Sequence, residues 1–130
     1  MCAQDNCRGS GEGQRRFSSA NLHSICDGTG FLVAFARMEG APLRSIEISQ
    51  NKVFTAVRMG VATDKFQARL EHDRLEASYF GERMTPLPGG NLLTDPKGKV
   101  LGAIGVSGLA LSEDQSVTES LAELANAGQL

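Results

Sequence analysis

Apolar residues follow two different spacings along the chain, and the change of spacing separates strands from helices. Residues 31–36 form a nearly continuous apolar run that follows the turn signal Asp27-Gly28-Thr29-Gly30. Such a run predicts a strand covered on both faces. We interpret it as the second arm of a β-hairpin whose first arm is residues 24–27.

Helical spacing begins after Pro42. Apolar residues recur there every three or four positions up to Gly60, which predicts an amphipathic helix. The positions are Leu43, Ile46, Val53, Phe54 and Val57. A second helix is predicted from Thr63 to about Tyr79, with its apolar face formed by Phe66, Leu70 and Ala77.

The second half of the chain predicts another hairpin and a last helix. Residues 86–90 contain two prolines and two glycines and are predicted to be a loop or edge segment. Residues 91–94 and 99–106 predict two strands joined by the turn Asp95-Pro96-Lys97-Gly98. A final helix begins near Ser112. The order strand, helix, helix, strand, strand, helix predicts an α+β domain, with an antiparallel sheet covered by helices.

Residues 1–23 differ in composition from the rest of the chain. They are rich in glycine and polar residues, so we interpret them as a flexible arm and assign the folded domain to residues 24–130. Cys2, Cys7, His23 and Cys26 could supply zinc ligands. Their spacing is only loosely finger-like, and an odd number of cysteines fits reduced thiols, so the cysteines are interpreted as incidental.

Charge and hydropathy narrow the class of partner. The 130 residues carry 13 basic and 15 acidic side chains, a formal net charge of -2, with no basic block. This balance argues against nucleic acid and anionic membranes as partners. The longest apolar run is far shorter than the ~20 residues that span a bilayer. The polar first twenty residues lack a signal-peptide pattern, which predicts a cytoplasmic protein.

Candidate binding chemistry lies beside the predicted turns. Arg37 ends the first apolar strand, Lys52 interrupts an apolar helix stretch, and Gly89-Gly90-Asn91 offers loop amides. Two cations and loop amides could hold the carboxylates of a small ligand. The alternative is that both cations pair with surface carboxylates or extend over the edge of the core.

Several separated motifs resemble one known family in the same order. The first half contains Leu32-Val33-Ala34-Phe35-Ala36-Arg37-Met38-Glu39-Gly40-Ala41-Pro42 and then Asn51-Lys52-x2-Thr55-Ala56. The second half contains Pro88-Gly89-Gly90 and Gly98-x3-Gly102-Ala103-Ile104-Gly105-Val106-Ser107-Gly108. Over residues 24–126 the chain resembles the GlcG/HbpS haem-binding-like family, which includes the C-terminal domain of PduO-type cobalamin adenosyltransferases.

The resemblance implies a profilin-like antiparallel sheet flanked by helices that assembles into homo-oligomers. Some family members bind haem or a corrinoid-related ligand. By this resemblance Arg37 and Lys52 would be partners of the haem propionates. His23 and His72 are candidate iron ligands, although neither falls on a matching family position. Where relatives have a long N-terminal helix, this chain has the short glycine-rich arm.

Two functions follow as expectations. The first is a small-ligand-binding protein that holds haem or a similar carboxylate-bearing cofactor. The second is an enzyme that acts on a small carboxylated catabolic intermediate, with Arg37 and Lys52 binding carboxylates and Asp27 or Lys52 moving a proton. The altered loop at residues 86–92, where relatives carry Phe-Gly-Gly-Gly, predicts a changed ligand.

Overall fold

A computed structural model describes residues 20–126 of the chain. The four strands are β1 (Leu22–Asp27), β2 (Leu32–Arg37), β3 (Gly90–Thr94) and β4 (Val100–Ser107). The helices are α1 (Arg44–Met59), α2 (Thr63–Asp73) and α3 (Leu111–Asn126), with a 3-10 turn at Ala77–Phe80. The element order and the α+β class agree with the sequence prediction. Within the described residues no helix combines the length and the apolar character needed to cross a membrane.

One antiparallel sheet organises the domain. Its strand order is β2-β1-β4-β3. Both predicted hairpins form, and pairing between β1 and β4 joins them into one sheet. Strand β1 begins at Leu22, two residues inside the segment assigned to the arm. Residues 1–19, with Cys2 and Cys7, lie outside the described part of the chain, and the prediction of a flexible arm remains a prediction there.

The helices cover both faces of the sheet, but not evenly. A Cβ on Gly105 would meet the backbone oxygen of Ser49, so that side of β4 faces α1. Asn91 pairs with Ile104, the residue next to Gly105, so its side chain points to the opposite face of the sheet. There its side-chain amide donates to the hydroxyl of Thr118 in α3. Helix α1 packs over β1, β4 and β3, whereas α3 packs over β3 and β4. The second face of β1 and β2 is therefore left without a helix among the described residues.

The buried face of α1 differs from the predicted apolar stripe. Leu43 is 76% exposed, while Ser45, Ser49, Lys52 and Thr55 are buried beside Val53 and Ala56. The small core cluster contains Cys26, Val53, Ala56 and Ala103. The prediction was wrong here because Gly105 brings the β4 backbone close to α1 at Ser49, which leaves room there for a small side chain instead of a large apolar one.

The prediction that β2 is covered on both faces is also wrong. All six residues of β2 are exposed, and the preceding Phe31 is 72% exposed. The strand is at the edge of the sheet and pairs with β1 alone. Its apolar run therefore forms a surface in the described chain and not a core strand.

Helix α2 is shorter than predicted. It ends at Asp73, and the next residue, Arg74, adopts a left-handed conformation with φ of 58°. The chain then returns through the 3-10 turn, which places Phe80 edge-on to Phe66 at a centroid distance of 5.5 Å. The last apolar residue of the predicted longer helix, Ala77, thus belongs to a turn that folds back onto α2.

Candidate functional site

Lys52 is completely buried and joins the two layers of helices. Its Nζ donates to the carbonyl oxygen of Val106 at 2.7 Å and to Oδ2 of Asp114 at 3.1 Å. Lys52 belongs to α1 and Asp114 to α3, so this ion pair connects elements on opposite faces of the sheet. Desolvation lowers the pKa of Lys52 and raises that of Asp114, and the attraction between them opposes both shifts.

Glycines at the end of the sheet make room for this lysine. A Cβ on Gly89 would lie 2.7 Å from the Nζ of Lys52 and 2.7 Å from the Val106 carbonyl oxygen. A Cβ on Gly105 would lie 2.8 Å from the backbone oxygen of Ser49. Neither position has space for a side chain, because the lysine and α1 already fill it.

The loop amides predicted to bind a ligand have partners inside the protein. The Gly89 N–H donates to the Gln115 side chain at 2.9 Å. The Gly90 N–H donates to the Thr63 hydroxyl at 2.9 Å. The side-chain amide of Asn91 donates from Nδ2 to the Thr118 hydroxyl at 2.7 Å. These groups serve the packing around Lys52, so a ligand that bound them would have to displace existing hydrogen bonds.

The two predicted cations do not converge on one surface. Arg37 is exposed at the end of β2, where it pairs with Leu22 of β1, and Leu22 pairs in turn with Ser107 of β4. Two strand spacings, about 10 Å, therefore separate the Arg37 backbone from β4. The charge of Lys52 is already matched by Asp114. Arg37 is thus the one member of the predicted pair whose charge faces solvent.

His23 lies on the sheet face that the described helices leave open. It pairs with Ala36 of β2 and Val106 of β4, and its Nε2 is 2.8 Å from Oδ1 of Asn21. Half-burial lowers the pKa of the imidazole, because desolvation disfavours the charged ring. The ring is therefore neutral near pH 7, the form that can bind a metal through nitrogen.

His72 has a different environment. It lies near the end of α2 with its side chain 88% exposed, and Nδ1 is 2.9 Å from Oδ1 of Asp73. No apolar surface surrounds an exposed ring of this kind. The structure therefore distinguishes the two candidate histidines, which the sequence left equivalent.

The described residues give no support to a zinc site. The Cys26 thiol faces the Val53 carbonyl at 3.6 Å, and burial raises its pKa to about 11. Zinc binds the thiolate, which is disfavoured in this position. Residues 20–126 contain no group of three or more side chains that could hold a metal ion.

Asp27 stabilises the turn of the first hairpin. One carboxylate oxygen accepts hydrogen bonds from the Thr29 hydroxyl at 2.6 Å, the Thr29 N–H at 2.9 Å and the Phe31 N–H at 3.1 Å. These bonds lower the pKa of the carboxyl group, with the hydroxyl of Thr29 as the largest cause. A carboxylate held in this way is a weak base, so its geometry is that of a turn residue.

Sequence reasoning missed the polar residues buried around Lys52. Asp114 received no role, although it is the counter-ion of that lysine. Ser24 and Ser49, which join β1 to α1 through a 2.7 Å hydrogen bond, were also overlooked. A usable signal was present, because Ser45, Ser49 and Lys52 repeat at helical spacing on the side of α1 that faces β4.

Comparison with known proteins agrees with this fold. The family model for haem-degrading HbpS-like proteins matches residues 15–123. An uncharacterised 15.0 kDa protein from the dhaT-dhaS intergenic region of Citrobacter freundii is 31% identical over 104 residues, which cover 76% of this chain and 71% of that protein.

Two solved structures have the same architecture. Klebsiella pneumoniae protein ORFY superposes with a TM-score of 0.77 at 24% identity, covering 88% of this chain and 81% of its own. The haem complex of PduOC superposes with a TM-score of 0.72 at 26% identity, covering 87% and 80%. With the family match over most of its length, the chain belongs to the HbpS-like family.

Proposed function

We propose that this protein binds haem or a similar carboxylate-bearing cofactor on the open face of β1 and β2. The family is described as haem-degrading, and the related PduOC was solved as a haem complex. The observation that carries the proposal to this chain is the position of His23. Its half-buried, neutral imidazole lies on an apolar sheet face that no described helix covers.

The side chains around His23 suit a flat apolar group. Ile25 lies on the same face of β1, and Ala34 and Ala36 lie beside it on β2. The two alanines leave the face flat, because they project little beyond the backbone. A macrocycle placed there would bury apolar surface on both partners, which favours binding. Haem would supply an iron centre when bound, and His23 would hold it through a ring nitrogen.

Arg37 is the proposed partner for the ligand carboxylates. Arg37 pairs with Leu22, so its side chain leaves β2 on the face opposite His23 and Ala36. It is the last residue of the strand and is exposed, and in this proposal its long side chain reaches a propionate around the strand end. Lys52 has a supporting role in this proposal. It links the end of β4 to α3 from within and does not contact the ligand.

The rival function, catalysis on a small carboxylated intermediate, would require Asp27 or Lys52 to move a proton. Asp27 is engaged in its turn with a lowered pKa, and Lys52 is sealed from solvent by its own partners. A general acid or base must reach the substrate within about 3 Å. We therefore propose binding as the function of this site.

We also propose that the chain self-associates through β2. Phe31, Leu32 and Val33 are 72%, 48% and 66% exposed, and the edge of β2 that faces away from β1 has no paired strand within residues 20–126. An apolar edge strand of this kind is a template for pairing. Pairing with a second copy about a two-fold axis is the simplest closed arrangement.

Absorbance titration with haem tests the binding function. We expect one haem per chain for the wild-type protein and for His72→Ala, which serves as the matched control. His23→Ala should lose the absorbance signature of histidine-bound haem and weaken binding at least about tenfold, since metal-ligand substitutions cost that much or more. Equal titrations of all three proteins would contradict the assignment of His23. Absence of saturable binding to the wild type would contradict the function.

A further inference from the structure

A cleft lies along the outer edge of β3, on the opposite side of the domain from β2. Its volume is about 630 Å³. The walls are formed by the turn between α1 and α2, by β3 itself and by the second half of α3. This size lies within the range of roughly 300–1,000 Å³ that small-ligand sites occupy. The haem proposal does not use this cleft.

The β3 backbone within the cleft is partly unpaired. Alternation along an antiparallel ladder directs the N–H and C=O of every second residue outward, here those of Gly90, Leu92 and Thr94. Thr63 bonds to the Gly90 backbone, and the Asn126 side chain accepts from the Thr94 N–H at 2.8 Å. For Leu92, which lies between them, no residue in the described part of the chain supplies an outward partner.

The two walls of the cleft carry different charges. Glu119 and Glu123 lie one helical turn apart on α3, and both are exposed. On the other wall Lys65 and Val61 lie at the α1–α2 turn. A strand paired with Leu92 would direct its central side chain toward Val61 and Lys65, and its two flanking side chains toward α3, because side chains alternate across a strand.

We propose that this cleft binds a short extended peptide segment of a partner protein by adding it to the edge of β3. The central residue of the segment exchanges two backbone hydrogen bonds with Leu92. Lysine or arginine on either side of that residue pairs with Glu119 and Glu123. The bonds from Thr63 and Asn126 close the edge at both ends, so the paired segment is about three residues long.

Three blocked tripeptides test the proposal on the full chain by fluorescence anisotropy. The first has the sequence Lys-Ala-Lys, the second Glu-Ala-Glu, and the third Lys-Ala-Lys with a methyl group on the central nitrogen. The Lys-Ala-Lys peptide should bind saturably and about tenfold more tightly than Glu-Ala-Glu, because two attractive charge pairs replace two repulsive ones. The methylated peptide should bind several-fold more weakly, since it cannot donate to the Leu92 carbonyl.

A pair of double variants separates the cleft from general electrostatics. Glu119→Gln with Glu123→Gln should remove the preference for Lys-Ala-Lys. Glu39→Gln with Glu47→Gln changes the net charge equally at exposed positions outside the cleft and should leave the preference intact. Equal effects of the two double variants, equal binding of all three peptides, or no saturable binding at millimolar concentration would each overturn the proposal.

Discussion

The two hairpins of the sheet have the same antiparallel geometry but opposite surroundings. Strands β3 and β4 are enclosed by helices on both faces, and the buried pair of Lys52 and Asp114 connects those layers. In the other hairpin a helix covers one face of β1, and every residue of β2 is exposed. We propose from this comparison that the closed hairpin contributes most to stability and that the open hairpin provides the binding surface.

The strongest test of the closed hairpin is loss of the counter-ion. Asp114→Ala leaves the Lys52 ammonium buried without a counter-ion, with the Val106 carbonyl as its remaining acceptor, and we expect the free energy of unfolding to fall by about 3–5 kcal/mol. Urea denaturation followed by circular dichroism measures the change. Glu123→Ala, an exposed carboxylate on the same helix, is the control and should stay within about 0.5 kcal/mol of wild type. Similar values for the two variants would show that the ion pair does not hold the layers together.

A glycine in the closed hairpin tests the close packing against α1. Gly105→Ala places a methyl group against the Ser49 backbone oxygen and the Val53 side chain, so we expect a loss of about 3 kcal/mol. A Cβ at Gly98 would meet no atom within 4 Å. Gly98→Ala is disfavoured only by the backbone φ of 87°, so we expect a loss of stability of about 1 kcal/mol. Thermal unfolding of both variants gives the comparison. A smaller loss at Gly105 than at Gly98 would contradict the packing account.

A substitution on the exposed surface of the open hairpin should change self-association and leave the free energy of unfolding almost unchanged. Val33→Lys changes an exposed position, so at low protein concentration its free energy of unfolding should stay within about 0.5 kcal/mol of wild type. In sedimentation velocity, Val33→Lys should sediment as a monomer under conditions in which wild type sediments as an oligomer, because a charge on an edge strand opposes strand pairing. Leu124→Lys, also exposed but on α3, should leave the oligomer intact. Dissociation by both variants, or by neither, would contradict an interface at β2.

The smallest expected effect concerns the turn of the open hairpin. Hydrogen bonds from Thr29 and Phe31 lower the pKa of Asp27 in the folded state. The stability they add is present above the unfolded pKa, about 3.9, and is lost as the pH falls through the folded value. Wild type should therefore lose more stability than Asp27→Asn between pH 5 and pH 2. Parallel pH profiles by urea denaturation would show that the carboxylate contributes nothing to the turn.

The hairpins were predictable because their signals are local. Asp27-Gly28-Thr29-Gly30 and Asp95-Pro96-Lys97-Gly98 determine turns through backbone preferences that a short sequence carries. The exposure of β2 could not be predicted, since an apolar run looks the same in a core strand and in an edge strand. Strand order decides between them, and it depends on which distant strands pair.

The environment of Lys52 shows the same limit for the site. Its helical position was clear from the sequence, and so was the glycine spacing of β4. The pairing with Asp114, 62 residues away, arises from the packing of two helices on opposite faces. Local spacing cannot indicate that contact, so the sequence leaves Lys52 with two interpretations, a ligand-binding cation and a surface cation that pairs with a carboxylate.

The central claim, that the cofactor lies on the open hairpin, can be tested most directly by nuclear magnetic resonance of the protein with and without ferric haem. The iron is paramagnetic and broadens the amide signals of nearby residues. We predict that the signals of His23, Ile25, Ala34 and Ala36 broaden first, while those of Asn91 and Thr118 on the closed side persist. Broadening centred on the closed hairpin or on His72, with β1 and β2 unaffected, would contradict the account.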